Sequence, residues 1–220
     1  EQIAAPKLVD GSLGLVLAAG LLALFVANTG GDETTTATPD GSSDDSSAQV
    51  VRDDSQRLST AEDGKVTFVE FLDYECEACG AAYPAIEELR ETYDGQVTFV
   101  VRNFPLHNNS EAAARAAEAA ADQSKFAEMY TMLFETQAEW GEQSDSKEEL
   151  FFQYGEDLGL DMDRFREVYD DPATLAKIEQ DQADGQALGV TGTPSFFLNG
   201  EMMEISSFED LAAQIDEALA

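Results

Sequence analysis

The stretch Phe71-Leu-Asp-Tyr-Glu-Cys-Glu-Ala-Cys-Gly80 contains both cysteines of this 220-residue chain, three positions apart. The residues before it, Val66-Thr-Phe-Val-Glu-Phe-Leu72, are mostly β-branched or aromatic, which is typical of a strand buried on both faces of a sheet. The residues after it place apolar side chains at helical spacing, at Tyr83, Ile86, Leu89 and Tyr93. The cysteines therefore lie where a strand passes into a helix.

A cysteine at the start of a helix is in a position that favours its thiolate. The first backbone N–H groups of a helix have no partner within the helix, and the helix dipole adds partial positive charge there. Cys76 lies nearer that end than Cys79, which follows one turn later on the same face. This spacing predicts a reactive thiol at Cys76 that can close a short disulfide with Cys79.

The strand and helix patterns on both sides of a helical stretch predict one α/β domain. Val97-Thr-Phe-Val-Val101 is a second buried-strand pattern, so strand, helix and strand form a right-handed βαβ unit. A helical insertion at about 108–188 follows it. Gln49-Val-Val-Arg52 is predicted as a first edge strand of the same mixed sheet.

The end of the chain predicts a ββα unit. Ser195-Phe-Phe-Leu198 and Glu201-Met-Met-Glu-Ile205 are strand patterns, and Asn199-Gly200 between them is a two-residue hairpin turn. A final amphipathic helix follows, with Ser207 as its cap. The two units and the insertion predict an α/β fold around one mixed sheet.

An apolar stretch near the start of the chain predicts a membrane anchor. Leu13-Gly-Leu-Val-Leu-Ala-Ala-Gly-Leu-Leu-Ala-Leu-Phe-Val-Ala27 carries no charge and, as a helix, is just long enough to cross a bilayer. Lys7 precedes it and acidic residues follow it, so the positive-inside tendency places the rest of the chain outside the cytoplasm. A secretory signal peptide cleaved near Ala23 or Ala27 is the alternative.

Composition divides the chain into three parts. Residues 1–28 contain the predicted signal-anchor, and residues 29–48 are rich in Ser, Thr, Gly and Asp, as in a disordered acidic linker. Residues 49–220 form the predicted folded domain. These assignments predict a single-pass protein of the cell membrane whose folded domain lies on the extracytoplasmic side.

The charge and the ligand residues of the chain exclude some partners. With 45 acidic and 12 basic residues, the formal net charge of −33 argues against binding nucleic acid or anionic lipid surfaces. Two cysteines and the single histidine, His107, are too few to complete a closed tetrahedral zinc site with N and S ligands. No metal or cofactor is predicted. His107 lies in a polar loop and is interpreted as a surface or capping residue.

The motifs together resemble one protein family. Cys76-Glu-Ala-Cys79 at a strand-to-helix junction, with Gly192-Thr-Pro194 before Ser195-Phe-Phe-Leu-Asn-Gly200, resembles thioredoxin-fold proteins of the DsbA-like family. Phe71-Leu-Asp-Tyr74 and Arg102-Asn-Phe-Pro-Leu106 are similar to the membrane-anchored bacterial branch of that family. The resemblance covers nearly all of the predicted folded domain, and it implies a thioredoxin fold with an inserted helical subdomain.

The resemblance implies a role for five residues. Cys76 is the exposed nucleophile that forms a mixed disulfide, and Cys79 resolves it. Pro194 follows a cis peptide bond and lies against the disulfide, while the backbone of Thr193 pairs with an extended substrate peptide. Glu70 corresponds to a buried acid that exchanges a proton with Cys79. The alternative for Glu70 is a side chain that points to a solvated face of the strand.

The implied function is that of an extracytoplasmic thiol–disulfide oxidoreductase, which forms or exchanges disulfides in unfolded or reduced secreted proteins. Such an enzyme needs a membrane redox partner that recycles Cys76 and Cys79. The alternative is a membrane-tethered thioredoxin-fold chaperone or binding module whose disulfide is structural. Glu75 and Glu77 place negative charge beside Cys76, so we expect a milder oxidant than the strongest members of the family.

Overall fold

A five-stranded mixed sheet runs through the residues that the structure, a computed structural model, describes, namely 48–62 and 64–220. Its strands are β1 (Gln56–Ser59), β2 (Val66–Leu72), β3 (Val97–Asn103), β4 (Ser195–Leu198) and β5 (Glu201–Met202). They lie in the order β1-β3-β2-β4-β5. Strands β2 and β3 are parallel, whereas the pairs β1–β3, β2–β4 and β4–β5 are antiparallel. The predicted βαβ and ββα units around a mixed sheet are confirmed.

Helices lie between the strands and after them. Helix α1 (Glu77–Thr92) connects β2 to β3, and helix α8 (Phe208–Leu219) follows β5. The described residues between β3 and β4 form an insertion of six helices: α2 (Ser110–Asp122), α3 (Phe126–Glu135), α4 (Gln137–Trp140), α5 (Glu148–Asp157), α6 (Met162–Asp170) and α7 (Pro172–Ala187).

The central strand β2 is buried on both of its faces. Phe68 packs with Ile86 of α1 and Leu211 of α8 on one face, whereas Val69 packs with Phe197 on the other. A strand covered on both faces requires an almost continuous apolar sequence, which β2 has. This packing fixes the end of β2, where the chain turns into α1.

The helical insertion has a core that reaches the start of α1. Trp140 and Tyr130 are almost fully buried, and they belong to the same apolar cluster as Tyr74 and Cys79. The indole N–H of Trp140 donates to the carbonyl oxygen of Leu133 at 3.2 Å. The insertion therefore packs directly against the residues around the two cysteines.

A buried cluster of charges joins the insertion to the sheet. Arg102 of β3 has no exposed surface, and its guanidinium lies 2.7 Å from Asp181 and 2.6 Å from Asp184 of α7. Its remaining terminal nitrogen donates to the backbone carbonyls of Gln49 and Val50 at 2.9 and 2.8 Å. A buried guanidinium is stable only when such partners replace water. The cluster holds α7 and the first described residues against β3.

Two strand predictions are wrong in detail. Gln49–Arg52 is not a strand. The backbone carbonyls of Gln49 and Val50 accept hydrogen bonds from Arg102 instead of pairing with a neighbouring strand, and the Arg52 guanidinium binds Asp184. The edge strand is β1. Strand β5 ends at Met202 rather than at Ile205, because the chain then turns towards the capping box that starts α8.

The predicted anchor and most of the predicted linker, in residues 1–28 and 29–48, lie outside the described residues. All the residues that are described belong to one compact unit. In this part of the chain, no helix combines the length and the apolar character needed to cross a membrane.

We expect Arg102→Ala to destabilise the protein strongly, because the substitution leaves Asp181 buried without its charge partner. Removing one member of a buried ion pair typically costs about 3–5 kcal/mol of unfolding free energy. The control is Arg164→Ala, which removes an ion pair with Asp122 in which the arginine side chain is 45% exposed. That control should cost far less, because water and salt screen an exposed ion pair. Urea unfolding measures both values, and similar losses in the two variants would contradict this account.

Candidate active site

Cys76 occupies the N-cap position of α1, with an extended backbone at φ −68° and ψ 121°. The turn before it is closed by a hydrogen bond from Cys76 N to the carbonyl oxygen of Asp73 at 3.1 Å. The Asp73 carboxylate also accepts a hydrogen bond from Glu75 N at 2.8 Å, as in an Asx-turn. This turn ends β2 and starts the helix. It leaves Cys76 partly exposed and Cys79 buried one turn later.

The two thiols have opposite electrostatic surroundings. A hydrogen bond from the Cys79 thiol lowers the pKa of Cys76 to about 5, against the effect of partial burial and with help from Thr193 and from the backbone N–H groups of Cys79 and Ala78. The same hydrogen bond raises the pKa of Cys79, and burial and the charge of Glu70 raise it further. At neutral pH, Cys76 is therefore a thiolate and Cys79 a thiol.

The loop before β4 faces Cys76. The peptide bond between Thr193 and Pro194 is cis. The carbonyl oxygen of Thr193 lies 3.4 Å from Sγ of Cys76, which donates to it when protonated. Ser195 Oγ donates to the carbonyl oxygen of Gly192 at 2.8 Å and closes the loop. The structure thus brings Cys76 together with residues that lie 117 positions or more away in the sequence.

Glu70 lies in the middle of β2, between β3 and β4, and is only 3% exposed. The predicted burial is confirmed, and the alternative of a solvated strand face is wrong because both faces of β2 are covered. Burial raises the pKa of Glu70 to about 8, with further contributions from the charges of Glu87 and Cys76. Since the charge of Glu70 also raises the pKa of Cys79, the acid and the buried thiol are electrostatically coupled.

The sequence did not reveal that the loop at residues 104–109 is tied to this turn. Asp73 Oδ2 accepts a hydrogen bond from Leu106 N at 2.8 Å and lies 2.6 Å from Nδ1 of His107, whose pKa it raises. Glu75 Oε2 accepts a hydrogen bond from Asn109 N at 2.5 Å. His107 is a surface residue, as predicted, but Asp73 fixes its ring. The two acids are visible beside Cys76 in the sequence, whereas their partners lie 33 or 34 residues later.

The acids that flank Cys76 do not prevent a low thiol pKa. Glu75 is buried with its carboxylate on the Asn109 backbone, and Glu77 is exposed. The pKa of about 5 at Cys76 lies between those of thioredoxin, roughly 7, and DsbA, roughly 3.5. An oxidant milder than the strongest family members stays a prediction.

A comparison with protein families identifies the group to which this fold and this site belong. A family model described as Thioredoxin matches residues 54–217. The chain belongs to the thioredoxin family. Similar solved structures include a thioredoxin-like oxidoreductase and an α-DsbA1, so this thioredoxin-family chain has a DsbA-like fold.

Three solved structures illustrate the likeness of this thioredoxin-family chain to others. A thioredoxin-like oxidoreductase from Silicibacter pomeroyi DSS-3 is 29% identical, with a TM-score of 0.63 over 76% of this chain and 93% of that one. The α-DsbA1 of Wolbachia pipientis is 19% identical, with a TM-score of 0.67 over 77% and 93%. Oxidised BdbD from Bacillus subtilis is 23% identical, with a TM-score of 0.66 over 73% and 91%. For the last two structures, the likeness shows a shared fold and no more.

Curated relatives of this thioredoxin-family chain are much longer proteins. The Na(+)/H(+) antiporter NhaA 3 of Salinispora tropica is 39% identical over 153 residues, which make up 68% of this chain and 22% of the antiporter. The Na(+)/H(+) antiporter NhaA of Herminiimonas arsenicoxydans is 35% identical over 142 residues, or 64% and 22%. The chain therefore spans about one fifth of the length of these relatives.

The first prediction for this site concerns the titration of Cys76. Ultraviolet absorbance of the reduced protein should show a thiolate transition centred near pH 5, and Cys76→Ser should abolish it. Cys79→Ala should move the midpoint to higher pH, because it removes the thiol whose hydrogen bond makes the largest contribution to the lowered pKa. An unchanged midpoint in Cys79→Ala would show that this hydrogen bond does not set the pKa. Because folding lowers this pKa from 9.0 to about 5, the contribution of Cys76 to the stability of the reduced form should be lost as the pH falls from about 9 to about 5.

The second prediction concerns the buried acid. Folding raises the pKa of Glu70 from 4.5 to about 8, so the contribution of Glu70 to stability should fall as the pH rises through this window. Glu70→Gln has no such titration. Its unfolding free energy relative to wild type should therefore increase between pH 4.5 and pH 8, measured by urea unfolding. Glu139→Gln, at an exposed position, is the control, and a Glu70→Gln curve parallel to that of wild type would disprove the effect.

Proposed function

We propose that this chain is an extracytoplasmic thiol–disulfide oxidoreductase that forms or exchanges disulfides in secreted proteins through Cys76 and Cys79. The proposal is supported by the pairing of a partly exposed thiol of pKa about 5 with a buried thiol one turn later. One sulfur can meet a client protein while the other stays inside. A structural disulfide requires neither an exposed sulfur nor a thiol of lowered pKa.

In the oxidising direction, the reaction starts from the disulfide between Cys76 and Cys79. A client thiolate attacks Sγ of Cys76, the S–S bond breaks, and Cys79 leaves as a thiolate. A second client thiolate attacks the client sulfur of the mixed disulfide, and Cys76 leaves as a thiolate. The client has lost two electrons, and the cysteine pair has gained them. The low pKa of Cys76 makes it a good leaving group and stabilises the reduced form, which favours this direction.

Glu70 supplies the proton that Cys79 needs when it leaves. Cys79 is buried and its pKa is raised, so its thiolate is unstable until it is protonated. The raised pKa of about 8 keeps a proton on Glu70 at neutral pH. Glu70 gives this proton to Cys79 in the oxidation of a client and takes it back in the reverse reaction.

The backbone beside Cys76 receives the client. The carbonyl oxygen of Thr193 is held 3.4 Å from Sγ of Cys76, next to Pro194. An extended client segment that donates an N–H to this carbonyl brings its own sulfur close to Cys76. Main-chain hydrogen bonds of this kind do not depend on sequence, which suits clients that share only the property of being reduced and unfolded.

The proposed location and recycling partner follow from the redox chemistry. A disulfide donor works where the compartment does not keep thiols reduced, which agrees with the extracytoplasmic side predicted from the anchor in residues 1–28. Each oxidation leaves Cys76 and Cys79 reduced. A membrane redox partner that accepts two electrons from them is therefore part of the proposal. Ion transport is not proposed, because the chain spans about one fifth of the antiporter relatives.

The reduction potential of the purified protein tests the function. Equilibration with glutathione buffers should give a value between that of thioredoxin, about −270 mV, and that of DsbA, about −120 mV. The intermediate pKa of Cys76 is the physical reason. A potential below about −300 mV would assign a structural disulfide and favour the chaperone or binding module instead.

A trapping experiment with two matched variants tests the separate roles of Cys76 and Cys79. Incubation with a client that already contains disulfides should leave Cys79→Ser covalently bound to it through Cys76, because the resolving thiol is gone. Cys76→Ser should form no such complex. Equal amounts of complex in the two variants would contradict the assigned roles.

A further inference from the structure

The side chain of Gln137 connects the helical insertion to the turn that presents Cys76. Its Nε2 donates to the carbonyl oxygen of Tyr74 at 2.8 Å and to that of Cys76 at 2.9 Å. Gln137 is the first residue of α4 and lies 61 positions after Cys76. We propose that Gln137 is a positioning residue for the thiol–disulfide chemistry of Cys76, an inference that rests on the function proposed above.

The two carbonyls belong to the part of the chain that stabilises the thiolate. The carbonyl oxygen of Cys76 also accepts the backbone N–H of Gly80 at 3.0 Å, so Gln137 is its second donor. Two donors on one oxygen fix the orientation of its peptide plane. The N–H groups of Ala78 and Cys79, which help to lower the pKa of Cys76, lie in the same helical turn. Holding the turn therefore keeps these donors directed at the sulfur.

Gly80 provides the space for this arrangement. A Cβ atom at position 80 would lie 2.0 Å from Oε1 of Gln137, far inside van der Waals contact. The backbone at Gly80 does not have a positive φ, so its conformation alone does not require glycine. Glycine is less favourable than alanine inside a helix. The glycine after Cys79 is explained by the amide of Gln137.

The insertion holds Gln137 in place. The carbonyl oxygen of Gln137 accepts a hydrogen bond from Gly141 N at 2.7 Å, which closes the short helix α4. Trp140, at the other end of α4, has no exposed surface, and its indole is bonded to Leu133 of α3. The position of the insertion thus determines the geometry of the turn at Cys76.

Gln137→Glu tests the proposal without a change in side-chain volume. A carboxylate oxygen replaces the Nε2 donor and repels both carbonyls and the thiolate, so the midpoint of the Cys76 titration should rise. The rate of mixed-disulfide formation below that midpoint should fall about tenfold, the order of effect of one lost hydrogen bond. Gln153→Glu, which adds the same charge at an exposed position of α5, should leave both values unchanged.

The titration separates positioning from a merely structural role. The proposal would be overturned if the Gln137→Ala and Gln137→Glu variants lost stability but kept the wild-type midpoint of the Cys76 titration. The titration needs no client protein, so it gives a result even where the wild-type protein oxidises no client. In that case the proposed function fails, whereas a raised midpoint in the variants still shows that Gln137 positions the Cys76 turn.

Gly80→Ala provides an independent test through the same contact. The added methyl group displaces Oε1 of Gln137, so this substitution alone should raise the midpoint of the Cys76 titration and lower the thermal midpoint of unfolding. In the Gln137→Ala background the space is free. There, Gly80→Ala should leave the Cys76 midpoint unchanged and should no longer destabilise the protein. Additive effects of the two substitutions would show that they act separately and would overturn the proposal.

Discussion

A thiolate that stays charged at neutral pH requires several hydrogen-bond donors directed at one sulfur, and the structure around Cys76 follows from this requirement. The end of β2 and the start of α1 meet at the Asp73 turn, which sets Cys76 at the N-cap with the N–H groups of the first helical turn facing it. The thiol of Cys79, buried in the same helix, contributes the largest part of the lowered pKa of Cys76. The same hydrogen bond raises the pKa of Cys79, so one contact makes the two sulfurs chemically different.

Two buried ionisable side chains of the sheet, Arg102 and Glu70, differ in how their burial is made stable. Arg102 is surrounded by the carboxylates of Asp181 and Asp184 and by backbone carbonyls, so its charge is compensated where it stands. Glu70 lies among apolar neighbours in the central strand, and its burial raises its pKa, so the side chain keeps its proton instead of forming an ion pair. The compensated charge of Arg102 holds α7 against β3. An acid that keeps its proton can instead exchange that proton with a neighbouring thiol.

The helical insertion packs directly against the turn that carries the two cysteines. Its apolar cluster includes Cys79, and Gln137 binds the backbone of the Cys76 turn directly. The loop that follows β3 is fixed to the same turn through Asp73 and Glu75. The turn that carries Cys76 is therefore held both by the helical insertion and by the loop after β3.

The sequence by itself determined the βαβ and ββα units, the hairpin at Asn199-Gly200 and the reactive pair at a helix start, because these depend on local periodicity, turn residues and spacing. The strand prediction for Gln49–Arg52 was wrong, because two adjacent valines match a strand pattern. In the structure, Arg102, far along the chain, donates hydrogen bonds to the backbone carbonyls of this segment. Only the tertiary structure decided that Glu70 is buried, that the Thr193 carbonyl reaches Cys76 and that Gln137 holds its turn. Each of these facts is a contact between residues distant in sequence, and no local pattern encodes such a contact.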